Sequence, residues 1–600
     1  MSFVTISDHD SIDGALEIAH LPGAFLSSEV TVEFPEDGCQ LHCLVTGITE
    51  AQHREIQRLR KDVYDLRDYF REHDILHSIA HPFYTVNGGL TLSHLEKLLV
   101  LFNRFEALNG IHDRRGNELV RRICSSLTPE VVADFAERHR LEPWGATPWV
   151  KTFTGGSDDH GGFYIGTTYT QTPSAATVEE YLAHLRAGRC EPGGETGSTL
   201  RLVQSLYSIS YEYYRLQFPA LLGNRKDPFA ELLRRLARAT TADDGTERVP
   251  VTLRERISRV FPFSAGRRRT DESATSPAGR PGQPAADRHT FGAASRASRE
   301  SLSSLVRGFV LHARRGRLSE SLGALAHLAP LAVSLAPYLV SIHAQHKDSG
   351  LMETAALRFL GTRPEGNRPG KRAWFTERLT DVPSVARILH ALPVREDGRE
   401  LVAVTCGAER PPAGLEVRNF EPLLELPVPG YEPWKLTVPP LLEILDHCEK
   451  ERYTEIVIST PGPLGLLGLA AGRLLGIPVT GICHAGFPLS VRQLCDSPAL
   501  EDLAWGYLRW LFGAMDGVVP ASRHDGALLA ERGVEPARRT VLPGLLIPLP
   551  GAEGAEERGV GAPSPGGWAG GWERVGVRAP GGGLRPRSED ALESLLCRLS

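Results

Sequence analysis

Two stretches of strand–helix alternation, about Phe3 to Tyr169 and Arg372 to Pro543, restrict the fold of this 600-residue chain more than any other feature. Alternation of this kind lays strands parallel and packs helices on their faces, as either a βα barrel or an open α/β sheet. In the first stretch VTIS, AFLSS, LHCLVT, ILHSIA and KTFTGGS read as strands, and Glu50–Glu72 and Thr91–Phe102 as helices. In the second, RAWF, LVAVTC, EIVIST, PVTGICH and GVVPAS are strand-like, with helical periods over Val385–Leu392, Pro439–Glu451, Gly465–Leu475 and Asp525–Arg532. A chain this long exceeds one hydrophobic core, so each alternation is expected to form its own domain.

The segments around them differ in kind. Residues 171–260 have mostly helical spacing, and the stripe Tyr207, Tyr211, Tyr213, Tyr214 reads as packing. Residues 261–300 are rich in Arg, Ser, Pro, Gly and Ala with few large apolar residues, which predicts a disordered linker. A helical segment follows over 301–365, and 546–600 read as a disordered tail dominated by Gly, Pro and Arg. Leu322–Ile342 is long enough to span a bilayer and follows Arg314, Arg315 and Arg317. Its Ala content, His327, Pro330 and Pro337 favour buried or interfacial helices, leaving peripheral membrane contact open.

A net charge of −6 supplies no global basic field, which argues against nucleic acid as a partner. Nine cysteines without a paired CxxC grid exclude a zinc-finger or disulfide framework, and the N-terminal residues lack a signal-peptide pattern. A cytoplasmic setting is expected.

The chemistry-bearing residues of the first stretch cluster at strand ends. Asp8 and His9 follow VTIS, Glu29 follows AFLSS, His81 follows ILHSIA, and Asp158 and His160 follow KTFTGGS. Strand ends converge on one face of a βα barrel, so residues far apart in sequence can meet around a cation. Imidazoles with carboxylates suit Zn²⁺, Mn²⁺ or Fe²⁺ better than Ca²⁺. Each residue alone also fits a surface or capping role. His42, Glu106 and Asn109 lie at further strand ends and rank lower.

TISDHDSIDGALE, SSEVT, IAHPF and GGSDDH resemble, in order, the later motifs of the PHP (polymerase and histidinol phosphatase) domain. The resemblance covers about Phe3 to Tyr169. It implies a distorted βα barrel holding up to three divalent metals and hydrolysing small-molecule phosphoesters. By that match His9, Glu29, His81, Asp158 and His160 are ligands, and Asp8 is a ligand or a partner that orients them. The chain begins after the family's His-x-His strand. The resemblance therefore implies a barrel lacking its first strand, fewer metals and little phosphatase activity.

WFTERLTDVPSVARILHAL, EIVISTPGPLGLLGLAAGRLLGIPVTGICHAGFPLSVRQL and PASRHDGALLAERGVEPARRTVLP resemble the acceptor-side, Rossmann-like N-terminal domain of family 4 glycosyltransferases. Gly462 and Gly465 stand at a strand-to-helix turn where backbone approaches a ligand or packs tightly. His484 matches a histidine placed near acceptor and reacting sugar, although a hydrogen-bonded strand-end histidine fits the same position. Arg523 follows the PAS turn. Ala485 and Gly486 replace the family's Thr-Asp, and Pro383 and Ser384 stand where it has a glycine loop. A nucleotide-sugar donor is expected only with the family's C-terminal domain, so the resemblance implies acceptor binding without transfer. The sequence thus predicts a PHP phosphoesterase fused to a glycosyltransferase, both impaired, or alternatively a non-catalytic metal- and glycan-binding protein.

Overall fold

A computed structural model describes residues 2–217, 284–314, 328–362, 370–377, 395–396, 399–407, 416–427, 435–483, 486–495, 497–520 and 523–534. The chain divides into two compact units, one essentially Met1–Arg368 and the other beginning at Pro369.

The first unit is organised by a five-stranded sheet in spatial order β1 (Ser27–Glu33), β2 (Gln40–Thr46), β3 (Leu76–Ile79), β4 (Arg104–Asn109) and β5 (Thr152–Gly156). The expectation of uniformly parallel strands holds only for β3–β4–β5; β1–β2 and β2–β3 are antiparallel. The short Phe34–Cys39 connection explains the first reversal, because six residues cannot carry a crossover helix. VTIS forms no strand: Val4 makes an isolated bridge to Ala24, and His9, beyond the run, makes one to Glu29 on β1. Glu29 accordingly lies within β1 and not after it. Among the described residues the sheet is an open ladder, so the barrel expectation is not realised as a closed strand circuit. A second pairing, β6 (Thr168–Gln171) with β7 (Glu191–Gly194), lies beside β5.

Helices begin where side chains satisfy the first free N–H groups. Thr49 and Thr91 form capping boxes with Gln52 and His94, and Asp62, Thr128 and Thr177 cap three more helices. The buried faces of the first four meet Val30, Val32, Val45, Ile79 and Phe105 in one core, while Leu182 and Leu185 of the helix capped by Thr177 pack with Leu76 in a separate cluster. Met352, Ala355 and Ala356 of the helix Ser349–Leu360 belong to that same core. The segment read as separate over 301–365 is therefore partly built into the first unit.

The linker expectation fails from Pro284 onward, where a helix Pro284–Arg314 begins. Its Ala294, Ser295 and Ser298 are buried, and it packs against the helices Thr199–Gln217 and Leu328–His346. Small residues let helix backbones approach closely, so a face poor in large apolar groups still buries. Tyr207 packs there as expected, its hydroxyl donating to Ser334 O at 2.8 Å. Leu322–Ile342 is described only from Leu328, and among the described residues no helix is long and apolar enough to cross a membrane.

The second unit carries six parallel strands in the order β11 (Glu416–Phe420), β10 (Arg399–Cys406), β8 (Lys371–Phe375), β14 (Glu455–Ile458), β15 (Val479–Cys483), β16 (Gly517–Pro520). The short β9 (Arg395–Glu396) pairs antiparallel with β10, and β12 (Leu424–Pro427) pairs with β13 (Lys435–Val438). Helices Leu441–Glu451, Pro463–Leu475 and Arg523–Glu531 fall where periodicity placed them. Strand order reverses beside β8, which has β10 on one side and β14 on the other. In open α/β sheets ligands bind outside the carboxyl ends at such a reversal. The predicted helix Val385–Leu392 and the tail 546–600 lie outside the described residues.

Candidate functional sites

Each strand of the first sheet delivers polar side chains to one buried pocket. Glu29 lies on β1, His42 on β2, His81 just after β3, Glu106 and Asn109 on β4, and Asp158 and His160 after β5. The bridge from His9 to Glu29 brings the N-terminal loop to the same place. Glu29 Oε1 lies 2.9 Å from both His42 Nδ1 and His81 Nε2, and those two nitrogens are 3.3 Å apart. The His9 ring is centred 4.7 Å from that of His42 and 5.8 Å from that of His160. Asn109 donates to Glu106 Oε2 at 2.9 Å and to Asp158 Oδ2 at 3.0 Å, while the His81 backbone N–H donates to Glu106 Oε2 at 3.0 Å. His112 Nε2 and His160 Nδ1 each stand 3.6 Å from an Asp158 oxygen.

Two sets of three donors result: His9, Glu29 and His42, and His81, His112 and Asp158, with atoms in each set within 4.8 Å of one another. Burial would raise the Glu29 carboxyl, but the charges of His9 and His42 outweigh it and hold Glu29 well below the usual range. Burial would lower His81, yet hydrogen bonding and charge from Glu29, with Asp158 and Glu106 beyond, carry it up to about 9. Desolvation takes Glu106 up to about 7 and His112 down to about 3. His160 is raised, the Asp158 charge overcoming burial.

This geometry fits a divalent cation. His9 Nδ1, His42 Nε2 and His81 Nδ1 are buried without a hydrogen-bond partner. An uncompensated buried polar atom costs about 1–3 kcal/mol, and three in one pocket suit a group that completes them. His81 and Asp158 also hold left-handed backbone, with φ of 24° and 48°, a strain that concentrates at functional sites.

The pocket includes His9, Glu29, His81, Asp158 and His160. Asp8, expected as a ligand or an orienting partner, joins neither donor set: its Oδ2 accepts the Gly14 N–H at 2.8 Å, near the start of the helix Asp13–Ile18. His42, Glu106 and Asn109 are integral to the pocket despite their lower rank. His112 was missed, although it follows β4 in the same strand-end pattern as His81. The expectation of a depleted site rested on ligands beyond the N-terminus; His42 and His112 give the described residues three donors in each set.

In the second unit Glu377, two residues past β8, occupies the strand-order reversal. Its Oε1 accepts the Leu464 N–H at 2.9 Å, its backbone N–H donates to Thr460 Oγ1 at 3.2 Å, and Thr460 Oγ1 also bonds its carboxylate. The start of the helix Pro463–Leu475, which favours negative charge, is thus filled by a carboxylate of the chain itself. Gly462 and Gly465 make room for it: a Cβ on Gly462 would lie 2.3 Å from Glu377 Oε1, and one on Gly465 would lie 2.1 Å from Thr460 O. Gly465→Ala is expected to destabilise this unit by about 1–3 kcal/mol in urea unfolding, since backbone must yield. His484, one residue beyond β15, lies outside the described residues; Arg523 opens the helix Arg523–Glu531 after β16.

A six-stranded parallel sheet with its ligand-facing reversal defines a Rossmann-like α/β domain. Residues 385–544 match the family model Glycosyltransferase Family 4, which supports a glycosyltransferase domain, glycosyl transfer in general and sugar-related substrates for that segment. No curated protein matches the chain.

Proposed function

We propose that Met1–Arg368 is a metal-dependent phosphoesterase of the PHP type, joined to a family 4 glycosyltransferase domain that takes a sugar acceptor. The convergence of His9, Glu29 and His42 with His81, His112 and Asp158, together with three unpartnered buried imidazole nitrogens, carries the reading. These six residues would hold Zn²⁺, Mn²⁺ or Fe²⁺, and His160 is a further donor beside Asp158. Such a cation, when bound, polarises a phosphoryl oxygen and lowers the pKa of a bound water. The protein's part is orientation: Asn109 ties Asp158 to Glu106, and Glu106 fixes the His81 backbone. Free cysteines among the described residues suit a cytoplasmic setting.

In the second unit we assign the acceptor to the strand ends around Glu377, with His484 and Arg523 as candidate residues of the transfer and a nucleotide-sugar as donor. The acceptor that binds beside Gly462 and Gly465 meets a carboxylate, which favours hydroxyl donors over phosphate.

Elemental analysis of the purified chain combined with hydrolysis of p-nitrophenyl phosphate tests the first assignment. Bound metal and turnover abolished by a chelator, then restored by metal, are expected. Metal without turnover would leave a metal- and glycan-binding protein in its place; no metal at all would remove the assignment.

A further inference from the structure

We infer that Gln345–Asp348, at the corner between the helices Leu328–His346 and Ser349–Leu360, is a clamp that positions one half of the candidate metal pocket; this rests on the metal reading above. The corner lies more than 180 residues downstream of every candidate ligand, yet it grips both loops that carry the second donor set. Gln345 Nε2 donates to Ile111 O at 2.7 Å, and Gln345 Oε1 accepts the Asp113 N–H at 2.8 Å. The two bonds fasten the backbone on either side of His112. Asp348 accepts the Thr85 backbone N–H at 2.9 Å and the Thr85 hydroxyl at 2.5 Å, and Lys347 Nζ donates to Thr85 O at 2.7 Å. Those contacts fix the loop that leaves His81.

Tyr84 joins the two grips. The Lys347 ammonium stands 4.0 Å from the Tyr84 ring centroid, and that ring is centred 4.5 Å from His112 and 5.4 Å from His81. Gln345, Asp348 and Thr85 are all at least nine-tenths buried, so their bonds are shielded from competing water. A small cavity of about 30 Å³, bordered by His81, Tyr84, His112, Gln345 and Asp348, lies between corner and imidazoles. That is room for about one water molecule.

The grip is one-sided. The bonds of Gln345 and Asp348 given above run to the segments that carry His81 and His112, and none of them touches His9, Glu29 or His42. The clamp therefore sets the position of His81 and His112 selectively. Hydrogen-bonding partners that orient metal ligands typically change metal affinity 10–100-fold when lost.

Calorimetric titration of the metal-stripped full chain with Zn²⁺ tests this, using Gln345→Met, which keeps volume but removes both bonds, and Asp348→Asn, which keeps shape but removes charge. The native chain is expected to bind in two classes. Gln345→Met is expected to weaken one class roughly 10–100-fold and leave the other unchanged; Asp348→Asn is expected to weaken the same class. His42→Ala should instead weaken the class that the clamp variants spare. Folded variants, judged by native circular dichroism, that retain both classes at native affinity would overturn the clamp while leaving the metal reading intact. A native chain that binds no Zn²⁺ would instead overturn the metal reading itself and the clamp with it.

Discussion

Glu29→Ala is expected to reduce metal affinity and phosphoester hydrolysis by at least roughly 100-fold. The reason is geometric: one oxygen, Oε1, lies 2.9 Å from an imidazole nitrogen of each donor set, so Glu29 stands where the two sets meet. Removing it strips a ligand from the first set and leaves His42 and His81 without their buried anionic partner. Glu33→Ala, on the same strand, is the control. Its carboxylate pairs with Lys61, whose side chain is largely exposed, and it stays outside both sets, so metal binding and turnover should be native. Metal titration and initial-rate measurements on both variants decide the matter, and equal losses would contradict the account.

The second large effect concerns stability. Arg372 on β8 and Glu455 on β14 form an ion pair at 2.8 Å with side chains 5% and 2% exposed, in the centre of the parallel sheet. Breaking a buried pair from one side leaves an uncompensated charge, at a cost of about 3–5 kcal/mol. Glu455→Ala is therefore expected to destabilise the second unit by that amount, with the first unit unchanged. Urea unfolding followed by Trp fluorescence measures it, since Trp374 on β8 is fully buried and donates to Ser459. Glu455→Gln, which keeps an acceptor near the Arg372 guanidinium, should recover part of the loss.

Why the second unit was the more legible follows from its residues. Runs such as EIVI and VTGIC are mostly apolar without period-two alternation, as strands buried on both faces are, and β14 and β15 are buried throughout. The first sheet is mixed, and alternation alone does not distinguish an antiparallel neighbour from a crossover. Its polar strand positions, Glu29 on β1 and His42 on β2, were placed at or beyond strand ends because a charged residue reads as a strand stop.

The candidate site was legible where a histidine stood in a short motif at a strand end: DHD, IAHPF and SDDH. It was less so where a single residue did the work. His112 lies in GIHDRR, outside the motifs that carry the resemblance, and the fold brings it beside His81, rings centred 4.9 Å apart. Asp8, expected as a ligand or as a partner that orients the ligands, holds the Gly14 N–H beside His9. The corner at Gln345–Asp348 had no sequence signal, since most of its hydrogen-bond partners are backbone groups. The helix Pro284–Arg314 was hidden by composition: Ala and Ser pack helices as effectively as Leu when backbones come close.

The central claim is that side chains from six separate segments form one cation-holding pocket. Anomalous diffraction from crystals of the full chain grown with Zn²⁺, recorded on both sides of the zinc absorption edge, tests it most directly. The account predicts zinc peaks within coordination distance of His9, Glu29 and His42 and of His81, His112 and Asp158. Zinc bound elsewhere on the chain, with no peak in this pocket, would contradict it.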